Sequence, residues 1–144
     1  MGNPSAEKTA DRLVTGVLDR ARAYNADPAK PLFIDKLRVF GSYINPEIDP
    51  LGDVDLELSY GRRTTNPQLV ADYAKASGRS FNTYVDRLLW PYTELVQHLK
   101  QRSAFINITT EDIARLTDRS ATIYSIDQDL QAVPPPADRT LVGR

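Results

Sequence analysis

The sequence predicts an α+β domain in which a small mixed β-sheet is covered by helices. Segments with helical spacing of apolar residues alternate with short runs rich in Leu, Ile, Val and Phe, in the order helix, strand, loop, strand, helices, strand, short helix, strand. The second strand alternates strictly between apolar and acidic residues, which indicates one buried and one polar face. Elements ordered in this way pack as layers, with helices lying on the sheet.

Length and composition indicate one domain without disulfides or a membrane anchor. The chain has 144 residues, of which 41% are hydrophobic and 26% charged, and it has no cysteine. Disulfides, thiolate metal sites and cysteine nucleophiles are therefore excluded. The formal net charge of −1 predicts no nucleic-acid partner from global electrostatics, and it leaves a local patch open. Without a signal core or an apolar run of ~18 residues, we expect a cytoplasmic protein with no membrane partner.

The first half of the chain predicts a helix followed by two strands. Ser5 can cap a helix whose apolar residues recur at spacings of three and four as far as Ala21. The run Leu32–Phe40 predicts the first strand, and residues 53–59 predict the second. The segment between them begins with Gly-Ser and is rich in Pro, Asn and Asp, so it is expected to be mostly loop.

The second half predicts helices followed by two more strands. Asn66, with a proline directly after it, predicts the start of a short helix. A longer helix is predicted from Ser80, and Pro91 is expected to kink it or to split it. Strands are predicted over 104–108 and 121–126, with a short helix between them.

Two parts of the chain are expected to lie at the surface. Residues 1–127 form the predicted domain, and residues 128–144 form a Pro-rich C-terminal tail that should be extended or disordered. The single histidine, His98, lies in a helical stretch beside Gln97 and Lys100, where a solvated position is expected.

The acidic face of the second strand is the least ordinary feature of the sequence. Side chains two residues apart on a strand point the same way, so Asp53, Asp55 and Glu57 project together. Like charges in this arrangement repel, and they require solvent, a basic partner or a divalent cation. Mg²⁺ prefers oxygen ligands and often joins carboxylates to a substrate phosphate. A solvated edge strand that uses charge to avoid aggregation would have the same pattern.

A Gly-Ser pair precedes this acidic strand. The motif Phe40-Gly41-Ser42, ten residues, then Asp53-x-Asp55 resembles the signature of the minimal nucleotidyltransferases of the DNA polymerase beta superfamily. Both halves of the signature and the gap between them match, and the order of predicted elements agrees with that fold. Glycine at a strand end would let a phosphate approach the backbone, and serine would add a hydroxyl and an amide donor.

The resemblance implies a role for each matched residue. Gly41 and Ser42 would hold a nucleoside triphosphate, while Asp53 and Asp55 would bind Mg²⁺ and act in catalysis. Divalent cations neutralise the charge that develops on a transferring phosphate, and the loop positions the nucleotide.

One expected residue of the family is replaced in this chain. The resemblance implies a third carboxylate on a later strand, and in the predicted strand 104–108 that position holds Asn107. Asparagine can offer a carbonyl oxygen to a metal, but it cannot act as a base at neutral pH. Glu57 could supply the third ligand from its own strand. Glu111 or Asp112 could also substitute, although both are expected to start a short helix.

Four other residues near the motif have two interpretations. Tyr43 could flank a nucleotide or pack on the sheet, and Arg38 could be an ordinary solvated strand residue. Arg62 and Arg63 could contact phosphate, or they could simply be exposed in a turn.

Three functions remain open. The first is a Mg²⁺-dependent enzyme that moves a nucleoside monophosphate from a nucleoside triphosphate to a hydroxyl on a protein, an RNA or a small molecule. Small members of the family that this chain resembles often act as antitoxins that modify a partner toxin. The second is a binding module that keeps the fold without catalysis, which Asn107 favours. The third is a plain interaction domain. The predicted helix over 80–102 could supply an acceptor wall or a homodimer face.

Overall fold

A computed structural model describes residues 4–44, 53–115 and 117–142. Three helices, five strands and three short 3-10 turns make up this part of the chain. The helices are α1 (Pro4–Ala26), α2 (Pro67–Ala76) and α3 (Tyr84–Lys100). The strands are β1 (Leu32–Phe40), β2 (Val54–Arg62), β3 (Ile106–Thr109), β4 (Ser120–Ser125) and β5 (Leu141–Val142). The 3-10 turns cover Gly41–Tyr43, Ile113–Arg115 and Ile126–Gln128.

The strands form one open, mixed sheet in the order β3-β2-β1-β4, and β5 pairs with β2. β1 is antiparallel to both β2 and β4, whereas β2 and β3 run parallel. A parallel pair needs a crossover, which α2 and α3 supply between β2 and β3. The predicted α+β class and the mixed sheet are confirmed.

The core lies between one face of the sheet and the helices α1 and α3. Val17 of α1, Leu95 of α3 and Leu56 of β2 are fully buried in one hydrophobic cluster. Within each element, the buried residues recur at the periods of 3.6 or 2 residues from which that element is predicted. No helix in the described part of the chain combines the length and apolar character needed to cross a bilayer.

The start of α3 differs from the prediction. Thr83 caps the helix through its hydroxyl, which accepts from the amide of Asp86 at 3.1 Å, so Ser80 lies outside the helix. Both are N-cap residue types, and the choice between them is made by tertiary packing. The helix also continues through Pro91 without splitting. Pro91 and the preceding Trp90 are both buried, so packing offsets the lost backbone hydrogen bond.

The C-terminal segment packs against the domain, so of the two predicted forms, extended or disordered, the disordered form does not hold for residues 128–142. Arg63 donates hydrogen bonds to the carbonyls of Val133 and Pro134, both at 2.9 Å. The amide of Val133 donates to the carbonyl of Asn25 at 2.8 Å. These partners come from distant parts of the chain, which is why the composition of the segment does not reveal them.

An ion pair and a short strand complete the attachment of this segment. The Arg139 guanidinium lies 2.9 Å from carboxylate oxygens of both Asp35 and Asp127. The hydrogen bond from Arg139 lowers the pKa of Asp127, and Asp35 is almost fully buried beneath the same guanidinium. β5 follows directly and pairs with Tyr60 and Gly61 of β2.

Asn25 organises the junction of α1, β1 and β4. Its amide accepts from the backbone N–H of Ile34 and donates to the carbonyl of the same residue, both at 2.9 Å. It also donates to the Tyr124 hydroxyl at 2.7 Å. The register of β1 shifts directly after Ile34, so the buried amide pairs backbone groups at an irregular point of the sheet.

Asn25→Ala is expected to lower the free energy of unfolding by about 3 kcal/mol, because it leaves two buried backbone groups of Ile34 without partners. Chemical denaturation would measure the change. Asn82→Ala, at an exposed position, is the control and should fall within about 0.5 kcal/mol of the wild type. A loss below about 1 kcal/mol for Asn25→Ala would mean that water or a rearranged strand pairs Ile34 equally well.

Candidate functional site

The Gly-Ser turn lies directly against the second aspartate of the motif. Phe40, the last residue of β1, pairs with Asp55 of β2, and the 3-10 turn begins at the next residue. Gly41 has a φ of +72°, a backbone region that favours glycine. A Cβ at Gly41 would overlap carboxylate oxygen Oδ2 of Asp55. Glycine is therefore required here both for its backbone conformation and for the close approach of Asp55.

Ser42 is the middle residue of the same 3-10 turn. Its backbone follows Gly41 directly in that turn, while its side chain lies outside the described part of the structure. Residues 45–52, which complete the gap between the two halves of the motif, also lie outside it.

The two aspartates flank the start of β2. Val54 and Leu56 are fully buried on the helix side of the sheet, whereas Asp53 and Asp55 are only half-buried. The alternation predicted from the sequence is therefore present at this end of the strand. Asp53 lies immediately before β2, and its neighbour Val54 donates to the carbonyl of Phe105 at 2.7 Å.

Asn107 lies beside Asp55 on the neighbouring parallel strand. The two residues are directly paired in the β2–β3 register. The Asn107 side-chain nitrogen donates a hydrogen bond to Oδ1 of Asp55 at 3.0 Å. One oxygen of Asp55 thus accepts from an amide and the other faces Gly41. The residue identified from the sequence as the replaced third carboxylate is in contact with one of the two aspartates.

Glu57 has a structural role that separates it from the two aspartates. Its side chain is only 2% exposed, and Oε1 lies 3.7 Å from Nη1 of Arg38. Its other oxygen accepts from the backbone amide of Ile113 at 2.9 Å. Binding a cation through Glu57 would require breaking one of these buried contacts. Arg38 is correspondingly the ion-pair partner of Glu57 and not an isolated solvated residue.

The two acidic residues after β3 begin a short helical turn, as expected. Asp112 accepts from the amide of Ala114 at 3.1 Å, and the 3-10 turn Ile113–Arg115 follows. The backbone amide of Glu111 donates to the hydroxyl of Thr109 at 3.1 Å. Asp112 thus caps the turn through its side chain, whereas Glu111 contributes its backbone amide and is exposed.

Tyr43 faces helix α1. Its hydroxyl donates to the carboxylate of Asp11 at 2.7 Å. Burial of the ring, with a further contribution from the hydrogen bond to Asp11, raises the pKa of Tyr43 to about 12. Tyr43 therefore anchors the Gly-Ser turn to α1, which matches the packing alternative.

Arg62 is placed as expected, whereas Arg63 and His98 are less solvated than expected. Arg62 is exposed, but Arg63 is half-buried and donates to backbone carbonyls of β1 and the C-terminal segment. His98 is also half-buried, and its Nε2 lies 2.9 Å from the carbonyl oxygen of Arg20. Because that partner can only accept, Nε2 carries the proton. His98 is therefore only partly solvated, because α1 packs beside this part of α3.

Phe105 is a feature of the site that the sequence does not single out. Residue 105 is predicted to lie within a strand, but β3 begins one residue later and the Phe105 side chain is 54% exposed. Its carbonyl accepts from the amide of Val54, so an exposed aromatic residue adjoins the start of β2.

The oxygen donors of the site suit a hard cation. Asp53 and Asp55 offer carboxylates, and Asn107 offers an amide oxygen once its side chain turns. Among the described residues no group of three or more His, Asp and Glu side chains is arranged to hold a metal. A site of this composition fits Mg²⁺ that takes several of its ligands from substrate phosphates and water.

No protein-family profile matches the chain, and neither a curated protein nor a solved structure is significantly similar to it. The residues and geometry described above are therefore the basis for any function.

Gly41→Ala should destabilise the fold more than the same change at a glycine whose surroundings are open. The left-handed backbone adds about 1–2 kcal/mol for alanine, and the new methyl group displaces Asp55. Gly78→Ala is a matched control, because Gly78 has a φ of +77° and a Cβ there would meet no other residue within 4 Å beyond its chain neighbours. Denaturant unfolding should show the larger loss for Gly41→Ala. Equal losses of stability in the two variants would argue against the contact of Gly41 with Asp55.

Proposed function

We propose that the protein is a Mg²⁺-dependent nucleotidyltransferase with a fold like that of the minimal nucleotidyltransferases. It would move a nucleoside monophosphate from a nucleoside triphosphate to a hydroxyl acceptor. In this reaction the acceptor oxygen bonds to the α-phosphorus, the bond from that phosphorus to the pyrophosphate oxygen breaks, and the hydroxyl proton is lost to solvent. The Mg²⁺ supplied with the nucleotide would neutralise charge on the phosphates.

The close approach of Gly41 to the Asp55 carboxylate carries the proposal. The two halves of the motif are separated by ten residues in the sequence, and they are in contact across the β1–β2 pair. A phosphate at the backbone of this turn would be repelled by the neighbouring carboxylate unless a cation lay between them. The pairing therefore supports a shared site for a triphosphate and its magnesium ion.

Some residues would bind the triphosphate and the cation, and others would hold the site in position. The backbone of Gly41 and Ser42 would donate to phosphate oxygens, and Asp53 and Asp55 would hold the cation. Tyr43, through its bond to Asp11, would keep the turn in place against α1. Arg38 and Glu57 would stiffen the sheet beneath the site through their buried ion pair.

A second candidate is a nucleotide-binding module without transferase activity. The hydrogen bond from Asn107 to Asp55 favours it, since an amide stands where a third carboxylate would assist the attacking hydroxyl. In that case the protein would bind a nucleoside triphosphate with Mg²⁺ and act through contacts with a partner protein or a second copy of the chain. The same site residues serve both candidates, so transfer itself has to be assayed.

Incubation with Mg²⁺, α-labelled nucleoside triphosphates and cell lysate should label an acceptor, and Asp53→Asn should abolish the label by removing one cation ligand. Asp138→Asn, which makes the same change at an exposed position in the C-terminal segment, should leave labelling intact. Undiminished labelling by Asp53→Asn would overturn the assignment. Stabilisation by Mg²⁺ and nucleotide without a labelled acceptor would instead support the second candidate.

A further inference from the structure

A small cavity, the β2–α3 pocket, lies between the end of β2 and the helices α2 and α3. Its volume is about 130 Å³, and its apolar wall is formed chiefly by Leu32, Val70, Leu88, Leu89 and Pro91. In another protein, a cavity of about 150 Å³ with apolar walls holds a benzene molecule. The β2–α3 pocket therefore has room for one ring or one branched aliphatic group.

Polar side chains from β2 and α3 also line the pocket. They include Tyr60 and Arg62 of β2 and Tyr92 of α3. Residues 60 and 62 are two apart on the strand, so both side chains point to the face of the sheet on which α3 lies. The rings of Tyr60 and Tyr92 stack with their centres 5.3 Å apart. Two phenol groups and one guanidinium are thus held on one side of an apolar cavity.

These polar groups are available to a ligand. In the described part of the chain, no side chain or backbone group forms a hydrogen bond or ion pair with the hydroxyls of Tyr60 and Tyr92 or with the Arg62 guanidinium. Burial raises the pKa of Tyr60, with a further contribution from Tyr92, so this hydroxyl keeps its proton and can donate. The charge of Arg62 opposes that rise, which shows that the guanidinium lies near the Tyr60 hydroxyl.

The combination of groups selects one class of ligand. A guanidinium and hydroxyl donors suit a carboxylate, whose two oxygens accept from arginine side by side. A phosphate ester would bring more negative charge than one cation beside an apolar wall can compensate. A ligand without any acceptor would displace water and leave the hydroxyl of Tyr60, which is only 8% exposed, without a partner.

We propose that the β2–α3 pocket binds a small monocarboxylic acid that carries one aromatic ring or one branched aliphatic group. The carboxylate would accept from Arg62 and the tyrosine hydroxyls, and the apolar group would lie against the wall that includes Val70 and Leu88. This pocket is separate from the proposed magnesium site. Tyr60 is five residues beyond Asp55 on β2, roughly 17 Å along the strand and on the opposite face of the sheet. Binding here does not depend on the proposed transfer.

Binding is tested by titrating the ¹⁵N-labelled full chain with phenylacetate, in EDTA and without nucleotide. We expect saturable shifts of the amide signals of Leu32, Val70 and Leu88, with a dissociation constant of about 1 mM or tighter. The amide signal of Gly41 should stay in place. Acetate has the charge without the ring, and phenylacetamide has the ring without the charge. Each should bind at least roughly tenfold more weakly than phenylacetate, because each uses only part of the pocket.

The role of the cation is tested with a charge-matched pair of variants. Arg62→Gln should weaken phenylacetate binding at least roughly tenfold and leave phenylacetamide binding unchanged, since only the carboxylate uses the charge. Arg119→Gln removes the same charge at an exposed position before β4 and should bind phenylacetate like the wild type. Tyr92→Phe keeps the ring beside Tyr60, removes one donor and should weaken phenylacetate binding about fivefold. The amide spectrum of each variant without ligand verifies that it is folded.

Three results would overturn this assignment. The first is the absence of saturable shifts up to about 10 mM phenylacetate. The second is equal affinity for phenylacetate and phenylacetamide, which would exclude carboxylate recognition and leave an apolar group of a partner protein as the occupant. The third is an equal loss of affinity in Arg62→Gln and Arg119→Gln. Failure of nucleotidyl transfer would overturn the proposed function and leave the β2–α3 pocket unaffected.

Discussion

Asn107→Asp is expected to raise the rate of nucleotidyl transfer by roughly tenfold or more, because it supplies a carboxylate where the site has an amide. The wild-type side chain donates to Oδ1 of Asp55 at 3.0 Å. Aspartate cannot donate at neutral pH, so the contact becomes a repulsion between like charges. Mg²⁺ between the two carboxylates would remove that repulsion. The variant should therefore also be less stable than the wild type in EDTA and should recover stability in Mg²⁺.

Transfer rates with labelled nucleotide and thermal unfolding with and without Mg²⁺ measure the two effects. Asn82→Asp makes the same chemical change at an exposed position between α2 and α3, and neither property should depend on it. The contrary result is an Asn107→Asp variant with the wild-type transfer rate and with the same stability in Mg²⁺ as in EDTA. It would mean that Asn107 does not occupy the position of a third metal ligand.

Asp55→Asn is expected to reduce the affinity for magnesium and nucleotide together by at least tenfold, while the fold persists. Asparagine has the same shape, and its side-chain oxygen can still accept from Asn107. The loss would come from the missing negative charge, since Mg²⁺ binds carboxylates more strongly than amides. Calorimetric titration with a non-hydrolysable nucleotide would measure the affinity, and the exposed Asp138→Asn variant is the charge-matched control.

The nucleotide-free protein gives the reference for this experiment. Stabilisation by a ligand grows with its concentration relative to the dissociation constant, so the wild type should melt at a higher temperature with Mg²⁺ and nucleotide than with either alone. Asp55→Asn should lose that increment and keep the melting temperature of the ligand-free wild type within a few degrees. An Asp55→Asn variant that binds nucleotide as tightly as the wild type would contradict the metal role of this carboxylate.

Much of the fold is predictable because its elements have regular periods. The predicted bounds of β1, Leu32–Phe40, are those that the structure shows, and Asn66 caps α2 through its side chain as expected. Errors occur where tertiary contacts decide between local alternatives. Thr83 replaces Ser80 as the cap of α3, and Pro91 is accommodated inside the helix by its buried position.

The candidate site is predictable in part for a different reason. A strand places alternate residues on one face, so the shared direction of Asp53 and Asp55 follows from their spacing. The contact of Gly41 with Asp55 and the pairing of Asn107 with Asp55 depend on strand register, which local sequence specifies weakly. The ion pair of Glu57 with Arg38 likewise cannot be predicted until the pairing of β1 with β2 is known.

The surface features are the least predictable. Arg79, Lys100 and Arg102 line one cavity along α3, and the net charge of the chain gives no sign of this local excess of cations. The C-terminal segment has the proline content of a disordered tail, yet Arg63 and Asn25 provide hydrogen-bond partners for its backbone. Long-range pairing of this kind has no local signature.

The central claim is that the Gly-Ser turn and the paired aspartates form one site for magnesium and a triphosphate. Mn²⁺ in place of Mg²⁺, added with a non-hydrolysable nucleoside triphosphate to the ¹⁵N-labelled full chain, broadens the amide signals of residues near the ion. We predict that the signals of Gly41, Asp55 and Asn107 broaden first and that broadening requires the nucleotide. Broadening centred on the C-terminal segment 128–142 would contradict this claim. Broadening of the same extent with and without the nucleotide would also contradict it.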